Sequence, residues 1–167
     1  WKNGVDIKTY STRVYILDSL NNQIWRNTRT RDSYGSAQAY VSNTGVDLTK
    51  AVSFAVDGNV WILNSDGSIT KLLSGEPVTF EIKKAPLTEP TSPTKIYTEL
   101  ELNQVFVLDP TSNKIFVYTK STKDDNLTYS SQYLIDSVNG KLVDMFYDKN
   151  TDTTYLLTET ALYKISF

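Results

Sequence analysis

Four residues of this chain, Asp6, Ser53, Lys95 and Asp144, stand immediately before apolar residues (Ile7, Phe54, Ile96 and Met145) in segments that align with one another. Two carboxylates, a hydroxyl and an ammonium in equivalent places could meet at one point. There they could bind a small polar ligand, or a hard cation such as Ca²⁺, which takes oxygen ligands. The same four could instead form a set of solvated or mutually paired side chains. A second candidate is the basic stretch Arg26-Asn27-Thr28-Arg29-Thr30-Arg31-Asp32, with Tyr34 following. Arg26, Arg29, Arg31 and Tyr34 could grip phosphates or an acidic partner, because a guanidinium makes bidentate contacts to such groups. The alternative for that stretch is a solvated surface loop.

What is missing narrows the chemistry. The 167 residues include no His and no Cys. A Ser-His-Asp triad, a His-ligated zinc, thiolate catalysis and disulfides are therefore excluded within this chain. No Walker loop, dinucleotide fingerprint or nucleophile elbow occurs. A carboxylate pair for glycoside hydrolysis stays open, since the distance between carboxyls is a three-dimensional fact. The net charge is −2, and residues 51–167 carry ten Lys and Arg against fifteen Asp and Glu. That balance argues against a nucleic-acid partner. Asn126-Leu127-Thr128 is a glycosylation sequon, a triplet frequent enough by chance to carry no weight. No apolar stretch approaches the roughly 20 residues of a membrane helix. The first residue is Trp1 rather than Met, without a leader pattern, which suggests a fragment or processed product. A chain without Cys suits an extracellular compartment as well as the cytoplasm.

The elements that must position these residues are legible from a repeat. Val14-Tyr15-Ile16-Leu17-Asp18 recurs as Val60-Trp61-Ile62-Leu63-Asn64, Val105-Phe106-Val107-Leu108-Asp109 and Thr154-Tyr155-Leu156-Leu157-Thr158. A period of 45 to 49 residues in a β-rich chain is the pattern of a β-propeller, one blade per repeat. Each repeat reads as up to four strands, a (innermost) to d (outermost). Strand a falls at Val5–Tyr10, Val52–Val56, Lys95–Thr98 and Val143–Tyr147; the recurring phrase is strand b. Strand c falls at Gln23–Asn27, Ile69–Leu73, Lys114–Tyr118 and Leu162–Ser166, and strand d at Ala37–Val41, Val78–Lys83 and Gln132–Ile135. Alternation in Val78-Thr79-Phe80-Glu81-Ile82-Lys83 marks a half-buried strand. Arg26–Gly35 and Lys120–Tyr129 read as polar loops between strands c and d, and Ala85–Pro93 as a proline-broken loop. Asp18, Asn64 and Asp109 are expected to cap turns. Tyr15, Trp61, Phe106 and Tyr155 are expected to pack blade against blade.

These readings predict an all-β chain, a single domain over residues 1–167 with about four blades of antiparallel strands at about 5–42, 51–84, 94–136 and 142–167. Three of the four repeats have a strand d. The ring is then either closed with four blades or part of a larger ring, completed by further blades or by a second copy.

The stretch Tyr15-Ile16-Leu17-Asp18-Ser19-Leu20-Asn21-Asn22-Gln23-Ile24 resembles the NHL-type propeller repeat, in which an apolar strand ends in Asp, a short turn carries Asn, and the next strand starts apolar. Phe106–Ile115 keeps the pattern through Asp109, Asn113 and Ile115. The second copy has Asn64 and a shorter turn, and the fourth has Thr158 and no Asn. The chain also looks like C-terminal propellers of larger multi-domain bacterial proteins, some with a phosphatase-like domain upstream. That resemblance implies that any catalysis lies outside this chain. Propellers of the NHL kind include protein-binding, RNA-binding and catalytic members, so the fold does not choose among them. The function expected is a non-catalytic binding or scaffold module for a protein, peptide or small polar ligand, without a cofactor unless Ca²⁺ sits at the channel mouth. The alternatives are a partial ring that assembles with itself, as a homodimer through open blade edges, and a calcium-dependent hydrolase or lactonase.

Overall fold

The computed structural model describes residues 3–84, 88–124 and 126–166. Four antiparallel sheets are arranged as a four-bladed β-propeller. The first blade contains β1 (Asp6–Tyr10), β2 (Arg13–Asp18), β3 (Gln23–Thr28) and β4 (Gln38–Ala39) in that order. The second contains β5 (Ala51–Val56), β6 (Val60–Asn64), β7 (Ile69–Leu73) and β8 (Glu76–Pro77). Next along the chain comes β9 (Ile82–Lys83). The third blade is built of β10 (Lys95–Tyr97), β11 (Gln104–Asp109), β12 (Lys114–Lys120) and β13 (Leu127–Leu134), and the fourth of β14 (Leu142–Asp148), β15 (Thr153–Thr158) and β16 (Leu162–Ile165). The inner strands β1, β5, β10 and β14 lie side by side in that order around the axis.

Register makes the repeat exact at the level of residues. Asp6 pairs with Leu17, Ser53 with Leu63, Lys95 with Leu108 and Asp144 with Leu157. Because side chains alternate across a strand, this register gives every blade the same two faces. The face turned to the next blade carries Leu17, Leu63, Leu108 and Leu157 with the repeat aromatic two residues earlier. The opposite face carries Ile7 and Ile16, Phe54 and Ile62, Ile96 and Val107, and Met145 and Leu156.

Among the described residues, three hydrophobic cores fill the joints between successive blades. Tyr15, Leu17 and Ile24 meet Phe54, Val56, Ile62 and Leu72 at the first joint. Trp61 and Leu63 meet Ile96, Val107 and Phe116 at the second. Phe106, Leu108 and Ile115 meet Met145 and Leu156 at the third. The repeat aromatics of the first three blades are thus buried between blades, and Tyr155 is half-buried.

The turns after strand b explain the Asp and Asn of the repeat. Asp18 accepts the Asn21 amide at 3.3 Å and the Trp25 indole N–H at 3.2 Å. Asn22 and Asn113 occupy left-handed backbone with φ of 52° and 51°, and Gly67 fills the corresponding turn of the second blade at φ 87°. Asn and Gly tolerate that region where most residues do not. Asn64 instead donates its side-chain amide to the Ser68 hydroxyl at 3.0 Å.

Three sequence expectations are corrected. The outer strand of the second blade is Glu76–Pro77, not Val78–Lys83. The latter segment turns Phe80 onto Trp61 in an edge-to-face contact of 5.7 Å, then crosses to the third blade. There Ile82 and Lys83 pair in parallel with Leu127 and Thr128, so β9 becomes the outer strand of its neighbour. The alternation was real, but it follows Phe80 into the joint between blades rather than a strand of the second sheet. Lys120–Tyr129 is not all loop: β12 runs to Lys120 and β13 starts at Leu127, which lengthens the third blade's outer hairpin. Arg26–Gly35 is not all loop either, because β3 continues through Arg26 to Thr28. Within Ala85–Pro93, residues 85–87 lie outside the described residues.

Candidate functional site

The four inner strands bring Asp6, Ser53, Lys95 and Asp144 to one end of the axis. Asp6 reaches across the first joint: its Oδ2 accepts the Ser53 hydroxyl at 2.6 Å and the Phe54 amide at 3.2 Å. Ser53 repeats the gesture one blade on, its Oγ accepting the Ile96 amide at 3.3 Å. Lysine has no acceptor to offer, and at Lys95 the relay changes character. The Lys95 ammonium lies 3.6 Å from Asp6 Oδ1 and 3.8 Å from Asp144 Oδ2. Asp144 turns its other oxygen to the amide of Met145, 2.8 Å away.

Lys8 is the member that aligning one position missed. It lies two residues beyond Asp6 on the same face of β1, and its ammonium stands 3.3 Å from Asp6 Oδ1. Strand alternation was the signal that could have found it. Two ammoniums and two carboxylates therefore border a cavity of about 430 Å³, with Val5, Ile7 and Ile16 as its apolar wall. A second cavity shares Ile7, Lys8 and Asp144 with it and extends toward Glu99 and Phe146.

Two ammoniums and two carboxylates balance at the mouth, and the set is a poor one for a bare cation. Asp6 is almost fully covered, and its oxygens already accept from Ser53, Phe54 and the Ile7 amide at 2.9 Å. Two ammoniums beside it repel a further positive charge. Among the described residues no group of three carboxylates is placed to hold a metal ion, so the Ca²⁺ expectation gains no support from this donor set. Ammonium–carboxylate hydrogen bonds normally measure about 2.7–2.9 Å. At 3.3 to 3.8 Å, the two lysines are held by charge without being closely bonded.

The basic stretch is divided by the fold. The Arg26 guanidinium lies over the Tyr40 ring at 5.9 Å, with Gln38 Oε1 at 3.4 Å from Nη2. Arg29, Arg31 and Tyr34 are exposed on a hairpin tip closed by a bridge between Arg29 and Tyr34. The structure brings those three together and leaves Arg26 apart. No helix among the described residues is long and apolar enough to cross a membrane.

No protein-family model matches the chain, and no curated protein matches it. Solved structures do. Kluyvelomyces marxianus Hsv2 is 11% identical with a TM-score of 0.56, over 96% of this chain and 46% of that one. A functionally unknown protein from Desulfotomaculum acetoxidans is 18% identical with a TM-score of 0.60, over 98% and 51%. A Bacteroides uniformis protein described as a candidate 6-phosphogluconolactonase is 13% identical with a TM-score of 0.59, over 98% and 53%. Identities this low speak to the fold alone. The chain spans about half the length of each of these three.

Proposed function

We propose that the chain is a non-catalytic β-propeller binding module whose axial mouth takes a small polar ligand, or the end of a peptide, that carries a carboxylate. The observation that supports this reading is the pair of ammoniums, Lys8 and Lys95, poised over a cavity and held from their carboxylates at 3.3 to 3.8 Å. An incoming carboxylate can accept from both at ordinary hydrogen-bond length without displacing Asp6, whose remaining bonds run to its neighbour's amide, Ile7, and to Ser53 and Phe54 of the second blade. Asp144, more exposed than Asp6, can receive a positive group of the same ligand. The buried Ile16, with Ile7 beside it, gives the mouth an apolar side. A binding role also suits a chain with neither His nor Cys.

The test is calorimetric titration with a tripeptide library bearing free C-terminal carboxylates, against the same library amidated. Binding of the free acids is expected, with at least tenfold loss on amidation and in Lys95→Met. Equal binding of acid and amide, or an unchanged Lys95→Met variant, overturns the assignment.

A further inference from the structure

Among the described residues, the first and fourth blades carry the faces of a further joint that is left largely open: Ile16 is buried at 5%, but its pair partner Ile7 is not. Leu17, Leu63 and Leu108 are each 0% exposed, whereas Leu157, in the same register position, is 41% exposed. On the opposite face Phe54, Ile96 and Met145 are 0, 1 and 6% exposed, whereas Ile7 is 60% exposed. Phe146 and Leu162 extend the open face of the fourth blade, where Asp144, Phe146, Tyr155 and Leu157 line a groove of about 220 Å³. Among the described residues, no buried cluster joins the fourth blade to the first.

We propose that a second copy of this chain covers both faces: the fourth blade of each copy packs on the first blade of the other, and the pair closes as an eight-bladed ring. Three arguments on the molecule select this occupant. The face that precedes a joint and the face that follows one both occur on this chain, with the residue types that pack three times within it. The polar relay carries the same instruction. Asp144 stands where Asp6 stands, and would take the partner's Ile7 amide, which in the single copy turns back to its own neighbour Asp6, as Asp6 takes the Phe54 amide. The chain also spans about half of three solved propeller-like structures, so two copies supply a length comparable to theirs. A head-to-tail contact repeated twice closes with twofold symmetry, and eight blades fall within the usual propeller range. The inference stands whether or not the axial mouth binds a carboxylate.

Light scattering coupled to size exclusion across a concentration series decides it. The expected mass is twice 18.9 kDa. Leu157→Glu and Ile7→Glu should each return the mass to one copy, while Leu100→Glu, at another exposed leucine, should leave the pair intact. Both single-copy variants should keep the circular dichroism and melting temperature of the dilute protein, since each changes a side chain exposed in the single copy. A single copy at every concentration overturns the proposal and points to further blades of a longer polypeptide as the occupant. A ladder of masses beyond two overturns the closed pair. So does a pair that survives both substitutions.

Discussion

Asp6→Asn should cost this fold far more than Asp144→Asn, although the two carboxylates are equivalent by sequence. The Asp6 side chain is 6% exposed and accepts from Ser53 Oγ at 2.6 Å, the Ile7 amide at 2.9 Å and the Phe54 amide at 3.2 Å, with two ammoniums beside it. A carboxamide keeps one acceptor oxygen and presents an NH₂ to donors on its other side. One or two bonds to a charged group are lost, each worth about 1.5–3 kcal/mol. Lys8 and Lys95 recover part of this from water. The expected loss is about 2–4 kcal/mol, which in a domain of this size is a melting temperature lower by roughly 5–15 °C. Asp144 is 43% exposed, with its ion pair at 3.8 Å and its nearest bond to the adjacent amide, so Asp144→Asn in the dilute single copy should cost less than about 1 kcal/mol. Urea unfolding followed by tryptophan fluorescence at neutral pH measures both. A loss under about 0.5 kcal/mol in Asp6→Asn, or equal losses in the two variants, would refute the claim that Asp6 clamps the first joint.

Two further predictions concern groups away from the mouth. Asp57 and Lys120 form a 2.6 Å ion pair between the second and third blades, with side chains 5 and 17% exposed. Lys120→Met should cost about 3 kcal/mol by stranding the Asp57 charge, and the double variant with Asp57→Asn should cost less than the sum of the singles; strictly additive urea midpoints would show that the two groups do not interact. Burial pushes the Asp109 carboxyl up, but the amides of Thr91, Ser92 and Ser112 outweigh it and hold the group below the usual 3.8. Its contribution is then fully present above about pH 4 and is lost as the pH falls through the lower folded-state value. Asp109→Asn should flatten the fall in stability between pH 5 and pH 2, and an unchanged acid limb would disprove the assignment.

The blades were legible because their register is written into side-chain types. Leu17, Leu63, Leu108 and Leu157 each pair with the polar residue that opens the site, so finding the repeat also aligned Asp6, Ser53, Lys95 and Asp144. The outer strands were less legible for a physical reason. Only two residues pair at the outer edge of each of the first two blades, and such short pairings leave little pattern. Ile82 and Lys83 join the third blade through the Leu127 amide, which donates to the Glu81 carbonyl at 2.9 Å, and through Asn126 Oδ1, which accepts the Glu81 amide at 2.7 Å. Partners 45 residues apart leave no periodic trace. The openness of the joint between the fourth and first blades was equally invisible, since Leu157 and Ile7 have the residue types of their buried counterparts.

The site arises where the repeat departs from its own rule. In the first two blades the polar residue at this position spends an oxygen on the amide of the next inner strand, Asp6 on Phe54 and Ser53 on Ile96. These bonds hold joints together and leave little capacity for a ligand. A lysine in the third blade cannot accept, so the Met145 amide turns to its own neighbour Asp144, and the ammonium is left between two carboxylates at more than 3.5 Å from either. A local departure that costs a structural bond is where function is expected, because nothing in the packing of the blade calls for the charge. Lys95→Ser separates the two roles. It restores an acceptor that can bond the next inner strand as Ser53 does, so stability should be kept or raised while carboxylate binding falls. A variant that lost stability and kept its binding would place Lys95 among the joint's structural bonds instead.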